Sequence, residues 1–262
     1  MTVAKSWASV AAVSSARRAG RDPIALAVSV GFFAIVASVI ATLWRTAAHV
    51  HGGSVAGYTA VQLTWYLYFA EAAVTALNPR QIELTGDDIA TGAVAVDMLR
   101  PASVVGLRIA TEFGRCVPRL TASAVVGSGL ALITGGAPTD SVGLLLALPS
   151  LVLAVLCNLA AQHAVAGAAF WVRDARSAWF LYQKLIFLLG AMLIPLEALP
   201  HWLHRTAELL PFVTMAYAPA RLASGHVEPP LLLLQLGWLV VLVAAAVAVF
   251  GAGERRLQVV GG

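Results

Sequence analysis

Six apolar runs of 18 to 29 residues, none with more than one charged side chain, constrain this chain of 262 residues more than any other feature: 24–44, 57–77, 117–134, 142–170, 178–195 and 230–250. About 20 helical residues at 1.5 Å each cover the roughly 30 Å of bilayer hydrocarbon. Each run is therefore a candidate transmembrane helix. A soluble globule would leave far too much of this surface wet. The chain is 60% apolar and 11% charged, against about 45–50% and 25% in ordinary soluble domains. Soluble enzymes, disordered chains and nucleic-acid modules are excluded as readings. The expected fold is an all-α membrane protein forming a single transmembrane domain over residues 1–262.

Charge fixes the expected orientation. With the N-terminus inside, 14 of the 17 lysines and arginines fall on the cytoplasmic side, and only Arg45, Arg205 and Arg221 fall outside. That asymmetry obeys the positive-inside rule and places both termini in the cytoplasm. The net charge of +4 then reflects inner loops facing an anionic membrane surface, not a nucleic-acid partner. The first run exceeds the 7–15 apolar residues of a cleaved leader and reads as a retained helix. Cys116 and Cys157 lie in or beside apolar segments and are expected as free thiols. No internal repeat is visible.

Three segments are not spans. Residues 1–23 combine Trp7, Val10 and Ala11 with Arg17, Arg18 and Arg21, the pattern of an interfacial helix. Asp22-Pro23 then caps and starts the first span. Residues 78–103 form a cytoplasmic loop opened by Asn78-Pro79. Apolar Ile82, Ile89, Val94, Val96 and Leu99 alternate there with Glu83, Asp87, Asp88 and Asp97, as in a solvated connector or a surface for a protein partner. Residues 196–229 are too apolar for a free loop and too broken for a span. Pro195, Pro200, Pro211 and Pro219 punctuate this region, with Trp202, Phe212 and Tyr217 between them. A re-entrant or interface-hugging helical pair on the outer face is expected, its irregular backbone covered by protein.

Span two carries the clearest buried polar signal. Thr64, Tyr68, Glu71, Thr75 and Asn78 recur at steps of four and three, which is one face of a helix. An acid at mid-membrane costs roughly 2.5–3.5 kcal/mol on insertion scales, so Glu71 faces a polar pathway or a packed seam. Span five repeats the feature more weakly with Trp179, Tyr182, Gln183 and Gly190. In span four, Gln162 and His163 are expected to hydrogen-bond between helices. Gly53-x-x-x-Gly57 suggests close helix packing.

Catalytic motifs are missing. The only lysines are Lys5 and Lys184, and no Gly-x-x-x-x-Gly-Lys-Ser/Thr loop occurs, so the chain cannot cradle ATP phosphates that way. There is no His-Glu-x-x-His helix. Asp87 and Asp88 are adjacent and Asp97 lies nine residues further on; with only Asp174 in the other inner loop, they do not form the paired aspartate-rich loops that hold magnesium pyrophosphate in prenyltransferases. His49, His51, His201 and His204 lack the companions of a metal site. No cofactor or metal is expected on this chain.

Two stretches carry a family resemblance. Ile89-Ala-Thr-Gly-Ala-Val-Ala-Val-Asp-Met-Leu-Arg-Pro is similar to the inner-loop pattern I-x-x-G…L-x-R-P of type-2 ABC exporter permeases. The outer segment from Pro195 through Leu199-Pro200-x-Trp202, Leu210-Pro211-Phe212 and Tyr217-x-Pro219 to Gly225 is similar to the stretch before that family's last helix. The chain most resembles the small bacterial permeases of the viologen- and antibiotic-exporter kind. The resemblance implies a bacterial plasma-membrane exporter subunit with six spans. It would be powered by two separate ATP-binding subunits that hold ATP and magnesium, and would pair with a second permease, a copy or a distinct chain. It also implies a coupling helix at about 82–100, so that Glu83, Asp87, Asp88, Ile89, Asp97, Leu99 and Arg100 meet the ATPase. The path or permease interface would then run along Thr64, Tyr68, Glu71, Thr75, Tyr182 and Gln183. Glu71 stands where many members are apolar, which would favour a cationic amphiphile. The competing expectation is a self-sufficient secondary transporter or channel, a class that often shows repeats and broken central helices.

Overall fold

The computed structural model describes residues 2–98, 103–172 and 176–260. Eleven α-helices lie among them: α1 (Thr2–Ala19), α2 (Pro23–Val50), α3 (Ala60–Thr75), α4 (Gln81–Ala90), α5 (Val94–Met98), α6 (Val104–Thr134), α7 (Ser141–Ala166), α8 (Arg176–Leu189), α9 (His201–Glu208), α10 (Tyr217–Ala223) and α11 (Pro230–Val260). Short 3-10 helices occupy Gly167–Phe170, Leu196–Ala198 and Pro211–Thr214.

Helices α2, α6, α7 and α11 are long and apolar enough to cross a membrane. The second and fifth runs fold as shorter helices. α3 has 16 residues and α8 has 14, roughly 24 and 21 Å of helix. The six-span expectation is therefore met by length in four helices only. Asn78-Pro79 stops α3 as expected, with Asn78 Oδ1 accepting from Arg80 N–H. At α8 the chain turns through Ala191, whose φ is +51°.

The third run starts earlier than its apolar stretch suggests. α6 is capped by the Ser103 hydroxyl, which accepts from Gly106 N–H, and runs for 31 residues through Pro118. Arg108, Arg115 and Arg119 thus lie on a helix and not in a loop. The expected start of the first span holds: Asp22 Oδ1 accepts from Ala25 N–H at 3.0 Å, with Pro23 at the first helical position.

The Gly53-x-x-x-Gly57 expectation is corrected. Ala56 and Gly57 both have positive φ and turn a two-residue antiparallel hairpin, β1 (Ser54–Val55) against β2 (Tyr58–Thr59). Such turns require left-handed backbone at both central positions. No atom lies within 4 Å of a Cβ built at Gly53 or Gly57, so these glycines turn the chain and pack against nothing. Thr59 then opens α3 with a reciprocal capping box to Gln62.

The core is centred on α3, whose residues Leu63 to Ala73 are all buried, and on α7. α10 lies across both. It approaches α7 so closely that a Cβ on Gly143 would fall 2.5 Å from the Leu222 carbonyl oxygen. Gln235 of α11 locks this region: its amide donates to the carbonyls of Ser150 and Thr214 and accepts from the Ser150 hydroxyl. An irregular backbone carbonyl at Thr214 is thereby satisfied, as buried polar groups require. In the segment 196–229 the prolines act as punctuation. Pro195 and Pro200 precede helices, Pro211 begins one, and Pro219 sits in the first turn of α10.

Candidate functional site: a cavity among four helices

α2 and α3 on one side, and α7 and α8 on the other, enclose a cavity of about 590 Å³, within the 300–1,000 Å³ of ordinary ligand pockets. Most of its wall is apolar: Val28, Phe32 and Val36 from α2, Trp179, Ile186 and Phe187 from α8. Polar groups enter from five helices, beginning with Ser29 of α2. α3 contributes Glu71 and Thr75, with Asn78 just beyond its end. α7 contributes Asn158 and Gln162, and α8 contributes Tyr182 and Gln183. Arg119 of α6 joins the lining.

Glu71 is 4% exposed, and its carboxylate has no hydrogen bond or ion pair among the described residues. Thr75 does not serve it, because its hydroxyl donates to the Glu71 backbone carbonyl. On the opposite wall, Asn158 Oδ1 accepts from the Tyr182 hydroxyl at 2.7 Å and from Gln162 Nε2 at 3.1 Å. That leaves Asn158 Nδ2 and Gln162 Oε1 buried without partners. Unmade hydrogen bonds at buried groups cost about 1–3 kcal/mol each. The mostly apolar chamber wall therefore carries one acid, Glu71, one cation, Arg119, and a spare amide donor and acceptor.

The polar stripe of span two divides. Glu71 and Thr75 reach the cavity. Thr64 and Tyr68, on the same face, do not. The Thr64 hydroxyl donates to the Ala60 carbonyl, and its side chain abuts Gly135. The Tyr68 hydroxyl shares a 2.9 Å hydrogen bond with Ser38, and its ring meets Phe33 edge-on. Both pack in the core. The expectation for Gln162 and His163 is also corrected: Gln162 bonds Asn158 and His163 Nδ1 bonds the Leu159 carbonyl, each within α7. Asn158 was not singled out by the sequence; its spacing four before Gln162 was the available signal. The α2 wall left little signal, since Ser29 is its only polar residue in the lining.

The inner-loop residues also separate. α4 buries Gln81, Ile82, Thr85, Gly86 and Ile89 against α7, α8 and the turn Gly167–Phe170. Ile89 is thus an internal contact. Arg108 of α6 ties the loop down, reaching Asp88 at 2.9 Å and Asp97 at 2.8 Å, and Glu83 pairs with Arg80. Asp87, Leu84 and Val96 remain exposed. Leu99 and Arg100 lie outside the described residues.

At the far end of α3 the fold assembles a second cluster that the sequence reading did not single out. Arg221 of α10 reaches Glu197 and Glu228, each at 2.9 Å, and donates to the Tyr58 hydroxyl at 2.6 Å. Tyr58 and Tyr217 both donate to Glu197. His226 meets the Tyr58 ring at a tilt of 55° and shares a hydrogen bond with Ser224. Burial and the neighbouring Arg221 charge hold its imidazole below the usual histidine range. Of the outer residues picked from sequence, Tyr217 and Pro219 are buried, Phe212 packs on Tyr182, and Trp202 is 68% exposed. Among the described residues no group of three or more His, Cys, Asp or Glu is placed to hold a metal ion.

The profile of a family described as ABC-2 family transporter protein matches residues 30–261. No curated protein and no solved structure matches the chain.

Proposed function

The chain belongs to the ABC-2 transporter family, and from that membership we propose that it is the permease subunit of an ATP-driven exporter in a bacterial plasma membrane. It works with two ATP-binding subunits and a second permease. All six apolar segments cross the bilayer, α3 and α8 as short spans, with both termini in the cytoplasm. α4 and α5 form the coupling element, and the outer segment 196–229 caps the opposite end. ATP and magnesium belong to the partner subunits, since this chain has no P-loop.

The observation that carries the reading is the chamber between α2–α3 and α7–α8. It draws polar groups from both short helices, while α4 packs against α7 and α8 at their inner ends. A push on α4 is thereby delivered to two walls of the chamber. Glu71, unpaired in that chamber, favours cargo that is cationic and partly apolar.

The test is a search for a P-loop ATPase frame beside the gene, then co-expression of the chain with that ATPase, purification and reconstitution. ATP-dependent efflux from vesicles, lost when the ATPase catalytic site is disabled, is expected. Full-rate transport by the chain alone would replace this reading with a self-sufficient secondary transporter.

A further inference from the structure

The elbow where α1, the start of α2 and the first half of α6 meet gathers more positive than negative charge, with Arg18, Arg115 and Arg119 set against Asp22 and Glu112. Gly114 allows α1 to settle directly on α6: a Cβ there would fall 2.1 Å from the Ala12 carbonyl oxygen. Arg18, six residues beyond that contact, is set beside Arg115 and Arg119. Together these three arginines line a hollow of about 290 Å³ with Ser15 and Asp22. Arg115 spends one nitrogen on Glu112, and Asp22 is engaged as the cap of α2. The side chains of Arg18 and Arg119 have no hydrogen bond or ion pair among the described residues. Like charges four apart on a helix, as Arg115 and Arg119 are, repel, and an anion between them removes the repulsion.

A second, more open hollow of about 660 Å³ shares Arg18 and is lined along α1 by Val10 and Val13 together with Ser9, Ser14, Arg17 and Arg21. These valines are 63% and 51% exposed. A cationic pocket beside a basic helix face that exposes two valines matches a molecule with an anionic head and a hydrocarbon tail. A free inorganic anion would have no use for the valines. We infer that the elbow binds an anionic phospholipid of the inner leaflet, with its phosphate among Arg18, Arg115 and Arg119 and an acyl chain along Val10 and Val13. The inference rests on the proposed orientation, which puts the elbow at the cytoplasmic surface where anionic lipids meet basic segments. Arg119 also lines the chamber whereas Arg18 does not, so Arg18→Gln separates this site from the cargo path.

Native mass spectrometry of the full chain in detergent provides the test, with phosphatidylglycerol and phosphatidylcholine of identical acyl chains as probes. Phosphatidylglycerol is expected to bind more tightly, and each arginine removed is expected to weaken it about fivefold. Arg18→Gln with Arg119→Gln should bring it close to phosphatidylcholine, whereas Arg205→Gln on the outer face should change nothing. Arg18 is exposed, so Arg18→Gln alone carries the test should the double variant fail to fold. Val10→Ser with Val13→Ser should weaken both lipids. Equal binding of the two lipids, or a preference left undiminished by Arg18→Gln, would overturn the site. Displacement of phosphatidylglycerol by millimolar inorganic phosphate, with no effect of the valine changes, would reassign the hollow to a soluble anion and overturn the lipid.

Discussion

Glu71 and Arg221 show how much depends on where a charge meets its partner. Glu71 has none among the described residues, so Glu71→Gln keeps the shape of the chamber and removes only the acid. The expected outcome is near-unchanged thermal stability and altered cargo-stimulated ATP turnover in the assembled transporter; unchanged turnover would leave Glu71 only a packing role. Arg221 is the reverse case. It is 17% exposed and holds Glu197, Glu228 and Tyr58 together. Arg221→Leu strands Glu197 beside two hydroxyls, and a loss of roughly 2–3 kcal/mol is expected in denaturant unfolding. His226 adds a pH dependence of known sign. Its folded pKa lies below the unfolded value, which is about 6.5. The fold therefore disfavours the proton: the stability this residue contributes is present above about pH 6.5 and is lost as pH falls through the depressed folded value. His226→Gln should flatten the acid side of a melting-temperature profile relative to the unsubstituted chain. At this scale the sequence was legible in part. A period of four and three picked the face holding Glu71 and Thr75. It did not distinguish them from Thr64 and Tyr68, because periodicity gives direction around a helix and not what lies opposite at each height.

Among the elements, the inner loop shows what composition hides. Its acids look alike in the sequence, yet Asp88 and Asp97 share Arg108 while Asp87 stays exposed. These positions should fail differently. Asp87→Arg is expected to lower co-purification of the ATPase with no change in melting temperature. Asp88→Asn should lower the melting temperature slightly, by the about 0–1 kcal/mol of a half-exposed pair, through release of the loop from α6. Equal effects on both measurements would remove the distinction. The helix starts at Asp22 and the stop at Asn78-Pro79 were readable because caps and prolines are local signals. The start of α6 was not, since a helix that leaves the bilayer changes from apolar to charged without changing its backbone. The hairpin at Gly53–Gly57 was misread because glycine spacing alone does not separate a turn from a contact.

For the molecule as a whole, the number of crossings decides which surfaces the cytoplasm sees. If only α2, α6, α7 and α11 crossed, α3 and α8 would each return the chain to the side it came from. The loop bearing α4 would then lie outside, and the turn at 135–140 between α6 and α7 would lie inside. Both termini would remain cytoplasmic, so terminal tags do not separate the two arrangements. Charge does: four crossings would strand Arg80, Arg100, Arg173 and Arg176 on the outer face, against the positive-inside rule. Helices of roughly 24 and 21 Å reach across about 30 Å of hydrocarbon if the bilayer thins locally or neighbouring protein covers their ends, at modest cost. Single cysteines settle the matter. Cys116 and Cys157 are both buried, so replacing them with serine or alanine gives a clean background. A membrane-impermeant maleimide applied to intact cells is expected to label Ala137→Cys, an exposed position in the 135–140 turn, and to reach Asp87→Cys only after permeabilisation. The opposite pattern would place α4 outside, out of reach of any cytoplasmic ATPase, and the coupling role assigned to it would fail with the six-span arrangement.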